Sequence, residues 1–111
     1  MAWFRFVSSR RATHTQALEV LRETLLEGPG HATPALRAAA ASGEGEGGLG
    51  AYVQQIHSAA DQVTPEQVSE LQMSHSDDVL FEVTVCAAFG AAKKRHDAGL
   101  AALDAAWGSG S

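Results

Sequence analysis

Apolar residues recur every three or four positions along most of the chain, which is the spacing of one face of an α-helix. This spacing predicts a first amphipathic helix from about Thr15 to Glu27. Gly28-Pro29-Gly30 ends that helix, because glycine has low helix propensity and proline lacks the N–H that helical hydrogen bonding needs. Thr33-Pro34 then begins a short second helix to about Ala41, since threonine caps the first N–H groups and proline suits the first turn.

Three further helices are predicted beyond the glycine-rich segment Ser42–Gly48, which we expect to be a mobile surface loop. The third helix runs from Leu49 to about Ala60. The capping-box sequence Thr64-Pro65-Glu66-Gln67 begins a fourth, which ends near Met73. The last is capped by Ser76 and runs to about Ala106, a length of about 45 Å. No stretch alternates as a β-strand does, so the predicted fold class is all-α.

The size and composition of the chain indicate one domain whose own side chains provide only a small hydrophobic core. We expect residues 1–107 to form that domain and residues 108–111, Gly-Ser-Gly-Ser, to be a flexible linker or the remnant of a tag. Hydrophobic residues make up 45% of the chain, but many are alanine, and aromatic residues make up only 6%. Because alanine buries little area, close helix contacts or a second subunit must supply the rest. We therefore expect a homo-oligomer.

The charge distribution argues against nucleic acid as a partner and is compatible with contacts between subunits. The net charge is −5, whereas phosphate binding needs a basic face. No lysine or arginine lies between Arg37 and Lys93, although that interval holds eight acidic residues. Two small basic clusters are suited to meet this acidic middle across a subunit contact, and the alternative for each single charge is an ordinary solvated surface. These clusters are Arg5, Arg10 and Arg11 near one end, and Lys93, Lys94 and Arg95 near the other.

The cellular setting is predicted from two short features. The apolar run Trp3–Val7 is too short for a secretory signal or a membrane span, so we expect a cytoplasmic protein with no membrane partner. The single cysteine excludes an intrachain disulfide.

No phosphate-binding glycine loop is present, and the histidines are too scattered for a metal-ligand motif, so we expect neither a cofactor nor a metal.

The segment Phe81–His96, FEVTVCAAFGAAKKRH, carries the strongest candidate chemistry. Cys86 falls on the same helix row as Val83 and Gly90, which predicts a buried thiol. Glu82 lies one turn earlier and opposes ionisation of that thiol. A glycine inside a helix costs about 1 kcal/mol relative to alanine, so Gly90 indicates that another backbone approaches closely.

The second half of the chain carries a series of short motifs: Ala51-Tyr52-Val53, Val63–Val68 with Leu71, Ser76-Asp77-Asp78, Phe81-Glu82, Ala87-Ala88, Gly90-Ala91, Arg95 and Ala98-Gly99-Leu100. Through these motifs, and more weakly through Leu26–Gly30 and Pro34–Arg37, the chain resembles the carboxymuconolactone decarboxylase and alkylhydroperoxidase-D-like family. The resemblance implies an all-α fold whose long helices associate subunits, commonly as trimers or hexamers. We expect that any pocket for a small molecule lies at a subunit interface.

The redox members of that family carry an acid, a C-x-x-C pair and a histidine, and this chain lacks the pair. Aligning the histidine with His96 places Phe89 and Ala92 at the two cysteine positions. Aligning Cys86 as the first cysteine places Phe89 at the second and Lys93 at the histidine. Aligning it as the second places Gly90 at the histidine.

The leading prediction is therefore a non-redox oligomeric domain with a structural or small-molecule-binding role. Two enzymatic alternatives remain open. The first is acid–base catalysis on a lactone or keto acid by Glu82 with His57 or His96. The second is a one-cysteine peroxidase that uses Cys86.

Overall fold

The computed structural model describes residues 16–108, and all the regular structure in that range is helical, which confirms the predicted all-α class with a long C-terminal helix. The elements are α1 (16–27), α2 (Pro34–Ser42), α3 (Gly47–Ala59), a 3₁₀ turn (Ala60–Gln62), α4 (Pro65–Gln72) and α5 (Asp77–Gly108). Several predicted features lie outside the described residues: the apolar run Trp3–Val7, the basic residues Arg5, Arg10 and Arg11, the first helix position Thr15, and residues 109–111 of the tail.

Three predicted helix starts are confirmed, because the capping hydroxyls accept hydrogen bonds from backbone N–H groups in the first turn. The hydroxyl of Thr33 accepts from the N–H of Leu36 at 3.1 Å, and the hydroxyl of Thr64 accepts from the N–H of Gln67 at 3.2 Å. The hydroxyl of Ser76 likewise caps α5. The reciprocal half of the capping box differs from the prediction, because the Gln67 amide donates to Gln55 on α3 at 2.7 Å instead of turning back to Thr64.

The loop predicted over Ser42–Gly48 is shorter than expected. The residues between α2 and α3 are 43–46, and the Gly47–Gly48 pair belongs to α3. Gly43 ends α2 in the left-handed region at φ 87°, where glycine carries no steric cost. Packing of α3 through the buried Leu49 outweighs the low helix propensity of the preceding glycines.

Helix α5 is the central element, and α2 and α3 pack along one side of it. The predicted packing row is confirmed, because Val83 and Cys86 are almost completely buried and Gly90 is buried beside them. A Cβ at Gly90 would overlap the carbonyl oxygen of Ala41, so the close backbone approach is with α2 of the same chain. The core consists of Leu26, Ala40, Leu49, Tyr52, Val53, Ile56, Leu71, Leu80, Val83, Cys86 and Ala87.

Several side chains on the opposite side of α5 are exposed. Phe81 is 70% exposed there, and Met73 in the preceding turn is 85% exposed. Beyond Leu100 the side chains of α5 up to Trp107 are exposed. Within residues 16–108, no helix combines the length and the apolar character needed to cross a membrane.

Candidate functional site

Glu82 projects from α5 onto the connector between α1 and α2. One of its carboxylate oxygens accepts from the backbone N–H of His31 at 2.8 Å, and the other accepts from His31 and Ala32, both at 2.9 Å. Gly30 allows this approach, because a Cβ there would overlap the carboxylate. Both oxygens of Glu82 are therefore engaged by the main chain at the entrance to α2.

Cys86 and Arg37 meet at the end of α1. The carbonyl oxygen of Leu25 accepts from the Arg37 guanidinium at 3.0 Å and from the Cys86 thiol at 3.6 Å. Leu25 lies in the last turn of α1, where carbonyl groups lack helical partners and attract positive charge. Arg37 is only 4% exposed, so the chain buries a full charge to close this helix end. Its Nε is buried without a hydrogen-bond partner.

The electrostatics of this cluster work against a reactive thiol. Desolvation raises the pKa of Cys86, and the negative charge of Glu82 raises it further, while the positive charge of Arg37 opposes both. Desolvation also raises the pKa of Glu82. The N–H groups of Ala32 and His31, with the charges of His31 and Arg37, outweigh that effect, so the Glu82 pKa lies below its ordinary value. The cluster therefore holds a protonated thiol beside an ionised, weakly basic carboxylate.

The two predicted histidines lie far from Glu82. His96 follows it by fourteen positions on α5, which is about 21 Å along the helix axis. The His96 ring lies 3.6 Å from the carboxylate of Asp97 at the surface. The ring of His57 bonds to the carbonyl oxygen of Ala40 at 2.9 Å. His57 is reached by Arg95, whose guanidinium donates to the His57 carbonyl oxygen. Arg95 follows Glu82 by thirteen positions on α5.

His31 and Arg37 lie with Glu82 and Cys86 in one group, which we call the Glu82 cluster. Neither His31 nor Arg37 was predicted there from the sequence. The His31 ring is 3.7 Å from the carboxylate of Asp78, with 68% of its side chain exposed. The only sequence signal for this contact was Gly28-Pro29-Gly30, which predicts a tight connector without saying what it packs against. The Glu82 cluster therefore ties three segments of the chain together.

Two clefts formed by described residues lie away from this cluster. One has a volume of about 300 Å³ between α1, α2 and α5, and the other about 240 Å³ between α3, α4 and α5. Neither is lined by Glu82, Cys86, His57 or His96. Across residues 16–108, no group of three or more histidine, cysteine or acidic side chains is arranged to hold a metal ion.

Comparison of the chain with protein-family models, with curated proteins and with solved structures finds no match. The resemblance to carboxymuconolactone decarboxylase-like proteins therefore stays a prediction. The four predicted site residues do not share one site. Glu82 lies near Cys86, whereas His57 and His96 lie elsewhere in the fold.

Proposed function

We propose that the protein is a non-redox, homo-oligomeric helical module of the carboxymuconolactone decarboxylase-like type, and that α5 is its subunit contact. The observation that carries this proposal is an exposed apolar face on α5, opposite the face that packs against α2 and α3. Large exposed apolar surfaces on small domains mark sites of association, because their exposure to water is unfavourable.

This face, which we call the outer stripe, has helical spacing. Phe81, Val85, Ala88 and Ala92 follow one another at intervals of four, three and four residues, so they share one side of α5. Phe81 is 70% exposed, and Ala88 and Ala92 are exposed as well. Beside Phe81 lies the 240 Å³ cleft between α3, α4 and α5, which is lined mainly by apolar side chains.

A second copy of α5, running antiparallel, fits the outer stripe in size and in charge. With Val85 opposite Ala88 of the second copy, Phe81 lies opposite Ala92 of that copy, so the largest side chain meets one of the smallest. In the same register Asp78 lies opposite Arg95. Each pairing occurs twice about the two-fold axis, so one stripe serves both subunits. The acidic start of α5 thereby meets the basic cluster of the other chain.

The antiparallel register also covers the turn before α5. The helix has 32 residues, and its last part extends past the outer stripe. In the paired arrangement this part runs alongside the α4–α5 turn of the second copy, where it brings Leu103 towards the exposed Met73. A contact of this kind has two-fold symmetry. By itself it therefore builds a dimer; a hexamer of three dimers needs a second contact, and a cyclic trimer does not contain this one.

The enzymatic alternatives receive less support from the geometry. Acid–base catalysis by Glu82 with His57 or His96 needs groups that share a pocket. These groups are far apart, and both oxygens of Glu82 are occupied by backbone N–H groups. A peroxidase needs a thiolate that peroxide can reach. Cys86 is 1% exposed, and its pKa is raised by desolvation.

Replacement of Phe81 by aspartate tests the proposal. The substitution places a charge against Ala92 of the second copy, twice in each contact, and leaves the core intact, because Phe81 is exposed. We expect Phe81→Asp to weaken association at least about tenfold, measured by sedimentation equilibrium. Val20→Asp on α1 is the matched control, since Val20 is 59% exposed and lies away from α5's outer stripe. Equal effects of the two substitutions would contradict the proposal.

A further inference from the structure

The cleft between α1, α2 and α5 is independent of the proposed subunit contact. It lies over Gly90, on the side of α5 that packs within the chain, whereas the outer stripe is on the other side. Its volume of about 300 Å³ is at the lower end of the range for small-molecule sites. As residues 16–108 form it, the cleft therefore lies outside the proposed contact between subunits.

The charge of this cleft is opposite to that of the whole protein. Arg22, Lys93 and Lys94 line it, and Asp97 is its one lining carboxylate, although the chain has a net charge of −5. Concentrating cations at one concave site creates a local positive potential that attracts anions. The cleft therefore favours anionic ligands over neutral or cationic ones.

The lining cations keep hydrogen-bonding capacity. Lys93 is paired with Asp97 at 2.8 Å. Lys94 donates to the carbonyl oxygen of Ser42 at 3.1 Å, which uses one of its three N–H groups. Arg22 forms an ion pair with Glu19 at 3.6 Å, a separation longer than a hydrogen bond. The guanidinium of Arg22 and the ammonium of Lys94 therefore have N–H groups available for an additional carboxylate.

The remaining lining of the cleft is apolar or small. Leu26, Phe89 and Ala38 contribute hydrocarbon surface, and Gly90 contributes no side chain. The combination matches a ligand with an anionic head and a compact hydrocarbon body. A bare inorganic anion would leave the apolar part of the lining without contacts.

We propose that this cleft binds a small organic carboxylate, with the carboxylate held by Arg22 and Lys94 and the hydrocarbon body against Phe89 and Leu26. The proposal does not depend on oligomerisation. It assigns a ligand class to a site that contains none of the predicted catalytic residues.

Titration of the isotope-labelled full chain with benzoate, followed by amide NMR shifts, tests the assignment. We expect saturable shifts at millimolar benzoate that map to residues around Gly90. Benzamide, which lacks the charge, and acetate, which lacks the ring, should each bind at least about fivefold more weakly. The absence of saturable shifts with benzoate, or equal affinity for benzamide, would overturn the proposal.

Three variants distinguish specific binding in this cleft from general electrostatic attraction of benzoate to the protein. Arg22→Gln should weaken benzoate about fivefold, while Arg95→Gln, which removes the same charge outside the cleft lining, should leave it unchanged. Ala38→Leu fills the cleft without changing the charge and should remove binding; Ala38 is exposed, so the fold tolerates the longer side chain. Equal losses in Arg22→Gln and Arg95→Gln, or full binding to Ala38→Leu, would rule the site out.

Discussion

The backbone N–H of His31 lies within hydrogen-bonding distance of both carboxylate oxygens of Glu82, 51 residues further along the chain. With the additional bond from Ala32, this contact fixes the connector between α1 and α2 against α5. A carboxylate that accepts several main-chain N–H groups is stabilised in its charged form. The residue that looked most like a catalytic base is thus engaged in holding the fold together.

The role of Glu82 predicts a pH-dependent loss of stability. Because its pKa in the folded state lies below the ordinary value of 4.5, its contribution is complete above that value and is lost as the pH falls through the lower folded pKa. Glu82→Gln should therefore lower the free energy of unfolding at pH 7, and the difference from the unmodified protein should shrink below about pH 4.5. Urea denaturation at several pH values measures this.

The control for that experiment is Glu70→Gln on α4, which makes the same change of net charge at an exposed position. It should leave the stability nearly unchanged at pH 7. A difference between Glu82→Gln and the unmodified protein that stays constant from pH 7 to pH 3 would show that the charge of Glu82 is irrelevant.

Cys86 should react slowly with thiol reagents. The side chain is buried, donates to the Leu25 carbonyl and has a pKa raised first by desolvation and then by Glu82. At pH 7 we expect Ellman's reagent to modify the native protein on the order of 100-fold more slowly than the urea-unfolded protein, because reaction requires opening of the core. Comparable rates in the two states would revive the one-cysteine peroxidase.

Two glycines of α5 should respond in opposite directions to alanine. A Cβ at Gly90 would overlap the Ala41 carbonyl, so Gly90→Ala should destabilise the protein by about 1–3 kcal/mol despite its higher helix propensity. A Cβ at Gly99 would meet no atom within 4 Å, so Gly99→Ala should stabilise the protein by up to about 1 kcal/mol. Thermal unfolding measures both. A stabilised Gly90→Ala variant would contradict the close contact between α2 and α5.

Local signals made much of the fold predictable. Each helix start with a capping hydroxyl, at Thr33, Thr64 and Ser76, depends on residues within a few positions, so the sequence specifies it. The burial of Cys86 follows from helical periodicity in the same way. Helix α3 begins two residues earlier than the sequence predicts, because the packing of Leu49 outweighs the low helix propensity of the two glycines before it.

The candidate site was less predictable, because its contacts join distant segments. Nothing near Glu82 in sequence shows that the N–H groups of His31 and Ala32 will reach it. The burial of Arg37 is hard to predict for the same reason, because its hydrogen-bond partner is the Leu25 carbonyl in the last turn of another helix. Spacing along α5 did contain one sufficient clue, because fourteen helical positions separate Glu82 from His96 too widely for joint chemistry.

Charge reversal tests the antiparallel register. Arg95→Asp places a carboxylate opposite Asp78 of the second copy and should weaken association, whereas Asp78→Arg combined with Arg95→Asp should recover at least part of the loss. Sedimentation equilibrium of both variants at low salt measures this coupling, because salt screens exposed charges. A double variant that associates no better than Arg95→Asp alone would exclude this register.

The molar mass of the unmodified protein at micromolar concentration tests the central claim most directly. We predict an assembly with an even number of 11.6 kDa chains, held together through the outer stripe of α5. Light scattering coupled to size exclusion gives that mass without reference to shape. A folded species at 11.6 kDa over the whole concentration range would contradict the proposed assembly.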